Sequence, residues 1–134
     1  MLQVGVKALL QNKAGKYLLL RRNREKYKDI KGDWDIPGGR ITPGTPHLEN
    51  LKREIKEETG LNLEGELQLL AAQDILRIKG RHVVRLTYVG EIEGEPNLDT
   101  SENLEFRWFS LAELKGLGDD LDVYLKELVD KGVV

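Results

Sequence analysis

Apolar residues in 1–11 recur every second position, at Val4, Val6, Ala8 and Leu10, which is the period of a strand. Turn chemistry in 12–16 leads to a second apolar run, 17–20, and the two read as a hairpin. Residues 21–28 are polar and basic and read as a loop. Trp34 and Ile36 fall on one face of a short strand that Pro37 ends. The period then changes. Leu48, Leu51 and Ile55 are spaced for one buried helical stripe. Thr45 is placed to cap that helix, Pro46 suits its first turn, and Gly60 suits a left-handed stop. Segments 67–78 and 82–92 form a long hairpin around Lys79-Gly80-Arg81. After a polar loop, 93–103, come a strand at 105–109, a short helix at 111–115 capped by Ser110, and an amphipathic helix at 119–130. Strands and helices mix without a strand–helix–strand rhythm. The order predicts an α+β domain, a mixed β-sheet with helices on its faces.

Length and charge narrow the function. The chain has 134 residues, which predicts one domain, 1–134, with a core of useful size. A net charge of −2 argues against a general nucleic-acid or membrane-surface binder, which carries a basic excess. A free small-molecule nucleotide stays compatible, since local cations suffice for its phosphates. Cysteine is absent, so thiol chemistry and disulfides are excluded. Two histidines far apart in sequence argue against zinc. Without an 18-residue apolar run or a signal peptide, the expected location is cytoplasmic, as a monomer or homodimer.

The candidate chemistry sits on the 45–59 helix. Glu54 and Glu57 are three residues apart and Glu54 and Glu58 four, so all three leave neighbouring points of one surface. Two carboxylates roughly 6 Å apart repel by about 3 kcal/mol at an effective dielectric near 20. Alone, such a run is more often a solvated face, with Lys52 and Lys56 pairing to its acids. A hard divalent cation would make the same cluster favourable, because Mg²⁺ and Mn²⁺ take oxygen ligands. Gly38 and Gly39 ahead of the helix carry no side chain and let a phosphate or metal approach the backbone. Among the cations of 21–28, Arg22 is the candidate for the substrate's phosphates. Trp34 reads as core rather than as a stacking platform, Lys79 and Arg81 as solvated charge, and His82 as non-catalytic.

Gly39, then Thr45, then Arg53-Glu54-Ile55-Lys56-Glu57-Glu58-Thr59-Gly60-Leu61 resembles the signature box of the Nudix hydrolase family at every position but one. The departure is Thr45, where the family has Glu. The segment Gly32-Asp33-Trp34-Asp35-Ile36-Pro37-Gly38-Gly39 also resembles what precedes that box. The resemblance implies an α/β/α sandwich and metal-dependent hydrolysis of a diphosphate linkage in a nucleoside derivative. The metal would be Mg²⁺, with Mn²⁺ as the alternative, at Gly39, Glu54, Glu57 and Glu58. It implies Arg53 as a positioning residue and Gly38 and Gly39 beside the substrate. The general base would be Glu54 or a later acid, for which Glu102 and Glu105 both qualify. A nucleoside triphosphate, oxidised or not, is the first substrate expected, and ADP-ribose or a nucleotide sugar the second. A nucleotide sensor without catalysis is the rival class.

Overall fold

The longest ladder joins strands distant in sequence. In the computed structural model, which describes residues 1–26, 31–63, 65–98 and 102–134, the first strand, β1 (Leu2–Gln11), lies parallel to His82–Glu91 from Leu2↔His82 to Gln11↔Glu91. The other elements are β2 (Tyr17–Arg22), β3 (Trp34–Asp35), β4 (Gly38–Arg40), α1 (His47–Thr59), β5 (Gln68–Ile75), β6 (the His82–Glu91 strand just named), β7 (Asn103–Phe109), α2 (Leu111–Gly116) and α3 (Val123–Asp130). The sheet runs β3-β2-β1-β6-β5, with β4 added to β1 and β7 to β2. The expected mixed sheet is present. Sequence readings at Tyr27, Lys28, Asp99 and Ser101 lie outside the described residues.

Several expectations need correction. The 1–11 and 17–20 runs do not form an extended hairpin, because β1 and β2 meet at one register pair, Gln11↔Tyr17. Beyond the turn each strand makes a longer ladder with another strand, β1 with β6 and β2 with β7. Arg22 is not in a loop; it is the last residue of β2 and is buried. The last helix begins at Val123 rather than at 119, after a 3₁₀ turn at Gly118–Asp120, because Asp122 caps it through the N–H groups of Tyr124 and Leu125.

Alternation along the central strands builds two cores. Val6, Ala8 and Leu10 pack with Leu51 and Ile55 of α1. Leu9 and Leu19 pack with Trp34, Phe109, Leu114, Leu121 and Leu125, under α2 and α3. The sheet is therefore sandwiched between helices, and Trp34 belongs to the core. Each fully buried leucine contributes roughly 1.5–3 kcal/mol. Among the described residues, no helix is long and apolar enough to cross a membrane.

The helix that carries the acids is fixed at both ends. Its N-cap is Pro46, with no side-chain cap, and not Thr45. The N–H of Thr45 is used in a turn, donating to the Thr42 carbonyl at 3.0 Å. Gly60 ends the helix in the left-handed conformation, φ 73°. Asn50, fully buried, ties the helix to the glycine loop. Its Oδ1 accepts from the Thr42 N–H at 3.1 Å, and its Nδ2 donates to the Arg40 carbonyl at 3.2 Å.

Candidate active site

With Leu51 and Ile55 pointing into the core, Glu54 and Glu58 are turned toward a cavity of about 540 Å³. Gly38 and Gly39 form its lip. Gly38 has φ 144°, and a side chain there would begin 2.0 Å from the Val6 carbonyl oxygen, so this backbone requires glycine. A Gly39 side chain would begin 3.0 Å from the Glu54 carboxylate. Glycine thus brings the backbone against the acid. The Glu58 Oε2 accepts the Gly38 N–H at 3.0 Å.

The two carboxylates are held in an unfavourable state. Burial pushes the Glu58 carboxyl up to about 7, and nearby Glu54 and Glu102 add to this against Lys7 and the Gly38 N–H. Glu54 is also raised, by burial and then by Glu57. Glu57 is exposed and leans to Arg53 at 3.6 Å. Arg53 also lies 3.6 Å from Glu54 and donates to Asn50 Oδ1 at 3.0 Å. Among the described residues, no three acidic or imidazole side chains stand together as a finished metal cage. The expected close trio is a pair in the cavity with a third acid beside it. Mutual repulsion, with Arg53 as a competing cation, accounts for the separation.

The donors nonetheless fit a hard cation. Two carboxylates share the cavity. The Gly39 carbonyl oxygen lies 3.9 Å from where a side chain on Gly5, another lining residue, would begin. A rotation at Glu57 would bring a third carboxylate. This all-oxygen set suits Mg²⁺ or Mn²⁺.

The later acids separate. Glu102 lines the cavity and pairs with Lys26 at 2.8 Å. Glu105 does not reach it. Glu105 is opposite Arg21, 3.4 Å away, while the preceding β2 residue Leu20 and its partner Phe106 face the α1 side. Strand alternation therefore points Glu105 away from Glu54.

Arg22 is also corrected. Its guanidinium touches the cavity but is occupied by Asp35 at 2.8 Å, Asp122 at 2.6 Å and the Gly32 carbonyl at 2.6 Å. It belongs to a buried network that the linear sequence did not disclose. Arg85 binds Asp35 at 3.0 Å and Asp122 at 3.2 Å, and Lys7 binds Asp35 at 3.1 Å. Burial opposes charge at Asp35, but Arg85, Lys7 and Arg22 outweigh it and hold the carboxyl well below the usual range. One available signal was Arg85 itself, a charge amid the apolar run of β6. Asp35, Asp122 and Lys7 carried none, since their partners are remote in sequence.

The chain is similar to known proteins in domain and in fold. The NUDIX domain model matches residues 1–129. The Homo sapiens 8-oxo-dGDP phosphatase NUDT18 is 33% identical over 96 residues, 68% of this chain and 28% of that protein. The chain spans about a quarter to a third of the length of the first animal relatives it matches. A putative 8-oxo-dGTP diphosphatase of Bacillus subtilis is 31% identical over 110 residues, 82% of this chain and 68% of that one. An ADP-ribose pyrophosphatase of Methanocaldococcus jannaschii is 30% identical over 117 residues, 86% of this chain and 66% of that one. The MutT NUDIX hydrolase structure from Burkholderia pseudomallei superposes with TM-score 0.79 at 28% identity, covering 97% of each chain. Nudix hydrolases are in general dependent on divalent metals. With the signature helix, the glycine lip and the sandwich all in place, this chain belongs to the Nudix hydrolase family.

Proposed function

We propose that this chain is a Mg²⁺-dependent pyrophosphohydrolase that cleaves the diphosphate linkage of a nucleoside derivative. The first substrate is an oxidised nucleoside triphosphate, taken to the monophosphate and pyrophosphate. The observation that carries the reading is the pair Glu54 and Glu58, both with raised carboxyl pKa, facing the Gly38-Gly39 backbone in one cavity. Acids crowded by burial and by each other gain most from a cation. The relative named for 8-oxo-dGTP supports the oxidised triphosphate, the relative named for 8-oxo-dGDP supports the oxidised base alone, and the relative named for ADP-ribose supports ADP-ribose as second.

Glu54 and Glu58 would hold the metal, with Glu57, now beside Arg53, as the further carboxylate available to it. When bound, the metal neutralises phosphate oxygens and makes a water more acidic. Arg53 keeps Glu54 and Glu57 in position from outside. The glycine lip lets the diphosphate lie against the backbone. Glu54 or Glu102 takes the proton from the attacking water, since both line the cavity.

The test is phosphate release, after coupling to a phosphatase, from 8-oxo-dGTP, 8-oxo-dGDP, dGTP and ADP-ribose, with Mg²⁺ and with EDTA. Metal-dependent release on any member, abolished in a folded Glu57→Gln variant, is the expected result. Saturable nucleotide binding without release would instead make the chain a sensor.

A further inference from the structure

β5 is an open edge of the sheet. Among the described residues it is paired on one side only, by β6. Such an edge pairs readily with another strand unless charge, proline or brevity blunts it. β5 has eight residues, with no proline and no lysine. Asp74 is its one charge, and His82 takes that at 2.6 Å. A bulge between Leu69 and Ala71 is the single device against pairing.

The two faces of β5 differ. On one, Leu70 packs against the core under α2 and α3, and Gln73 donates to the Tyr124 carbonyl at 2.9 Å. On the other, Leu69 and Ala72 pair with Tyr88 and Leu86 of β6, which belong to the α1 side. α1 packs over β1 and β4 and leaves this margin bare. Leu69 is 58% exposed, Ala72 is exposed, and Leu76, just past the strand, is 64% exposed. Aliphatic side chains gathered along an open edge mark an interaction surface.

Charge identifies the partner. Glu66 stands just before β5, and Arg77 and Lys79 stand just after it, all three exposed. Among the described residues, none of them has an ion-pair partner. The edge is therefore acidic at one end and basic at the other. An antiparallel copy of the same strand reverses that order. A two-fold axis at Ala72 sets Glu66, six residues before it, against Arg77 and Lys79 of the other copy, five and seven residues after it. The symmetry makes each such contact twice. A small residue at the axis lets the two backbones approach.

We propose that β5 pairs antiparallel with β5 of a second copy of this chain, continuing the sheet through a two-fold dimer in which Glu66 of each copy faces Arg77 and Lys79 of the other.

The test is sedimentation velocity of the whole chain over about 1–200 µM, with neither nucleotide nor metal. A monomer–dimer equilibrium is expected, and the outward amides of 68–75 should exchange more slowly as dimer forms. Ala72→Lys places two cations at the axis and should weaken the dimer 10-fold or more. Glu66→Lys should weaken it about 10-fold, because like charges then meet at both ends. Adding Arg77→Glu and Lys79→Glu to Glu66→Lys should restore it to within about threefold. All four positions are exposed, so the fold should be spared, and thermal melts check this. A monomer at every concentration overturns the proposal, as does a dimer that Ala72→Lys leaves intact. So does a folded triple variant that fails to recover, or assembly that runs on past the dimer, as an edge docked on some other surface would.

Discussion

Glu58 is placed where its charge is unwelcome until a cation arrives. Its folded pKa, about 7, lies above the ordinary carboxylate value of 4.5. Protonation therefore favours the fold: the contribution is intact below pH 4.5 and is lost as pH rises through about 7. At pH 8 in EDTA, Glu58→Gln should stabilise the chain by about 1–3 kcal/mol, and its amide oxygen can still accept the Gly38 N–H. The same variant should lose most Mg²⁺-dependent release. Thermal melts at pH 4 and pH 8 check the first point, the gain appearing at the higher pH; a gain equal at both values would remove the titration from the explanation. Glu54, Glu57 and Glu58 could be read from the sequence because helical spacing is a local rule. That Glu57 would lean to Arg53 could not, because rotamers answer to charges that spacing alone does not place.

At the scale of elements, α1 and the glycine loop behave as one piece. Asn50 joins them by two hydrogen bonds to the 40–42 backbone and accepts a third from Arg53. Asn50→Ala leaves the Thr42 N–H and the Arg40 carbonyl without these partners and should cost about 2 kcal/mol, or roughly 7 °C in a chain of this size. It should also lower Mg²⁺-dependent turnover, since Gly38 and Gly39 lose their anchor to the acids; a melting loss with unchanged turnover would show that the loop holds itself. The element boundaries were legible where turn and cap residues act within a few positions, as at Gly60 and Ser110. They were misread where a second use competed, as at Thr45, whose N–H closes a turn, and at Asp122, which both caps α3 and binds two arginines. The β1–β6 pairing spans some eighty residues, and alternation alone does not choose partners at that distance.

For the whole molecule, the buried network is the joint between layers. Asp35 of β3 and Asp122 before α3 are bridged by Arg22 of β2 and Arg85 of β6, with Lys7 of β1 on Asp35. Removing the Asp35 charge leaves two buried arginines, Arg22 and Arg85, on Asp122 alone and takes from Lys7 its ion-pair partner. Asp35→Asn should therefore cost about 3–5 kcal/mol at pH 7, the usual penalty for an unpaired buried charge. Its pH dependence follows from the depressed folded pKa of Asp35. The unfolded carboxyl titrates near pH 3.9, so the ionised network contributes fully above that value and loses its contribution as pH falls below it. Urea unfolding at pH 7, 5, 4 and 3 should show the wild-type advantage over Asp35→Asn holding at the two higher values and shrinking at the two lower ones. A gap that stays constant to pH 3 would mean that Asp35 acts through packing and not through its charge, and the network would then be a consequence of the fold rather than one of its ties.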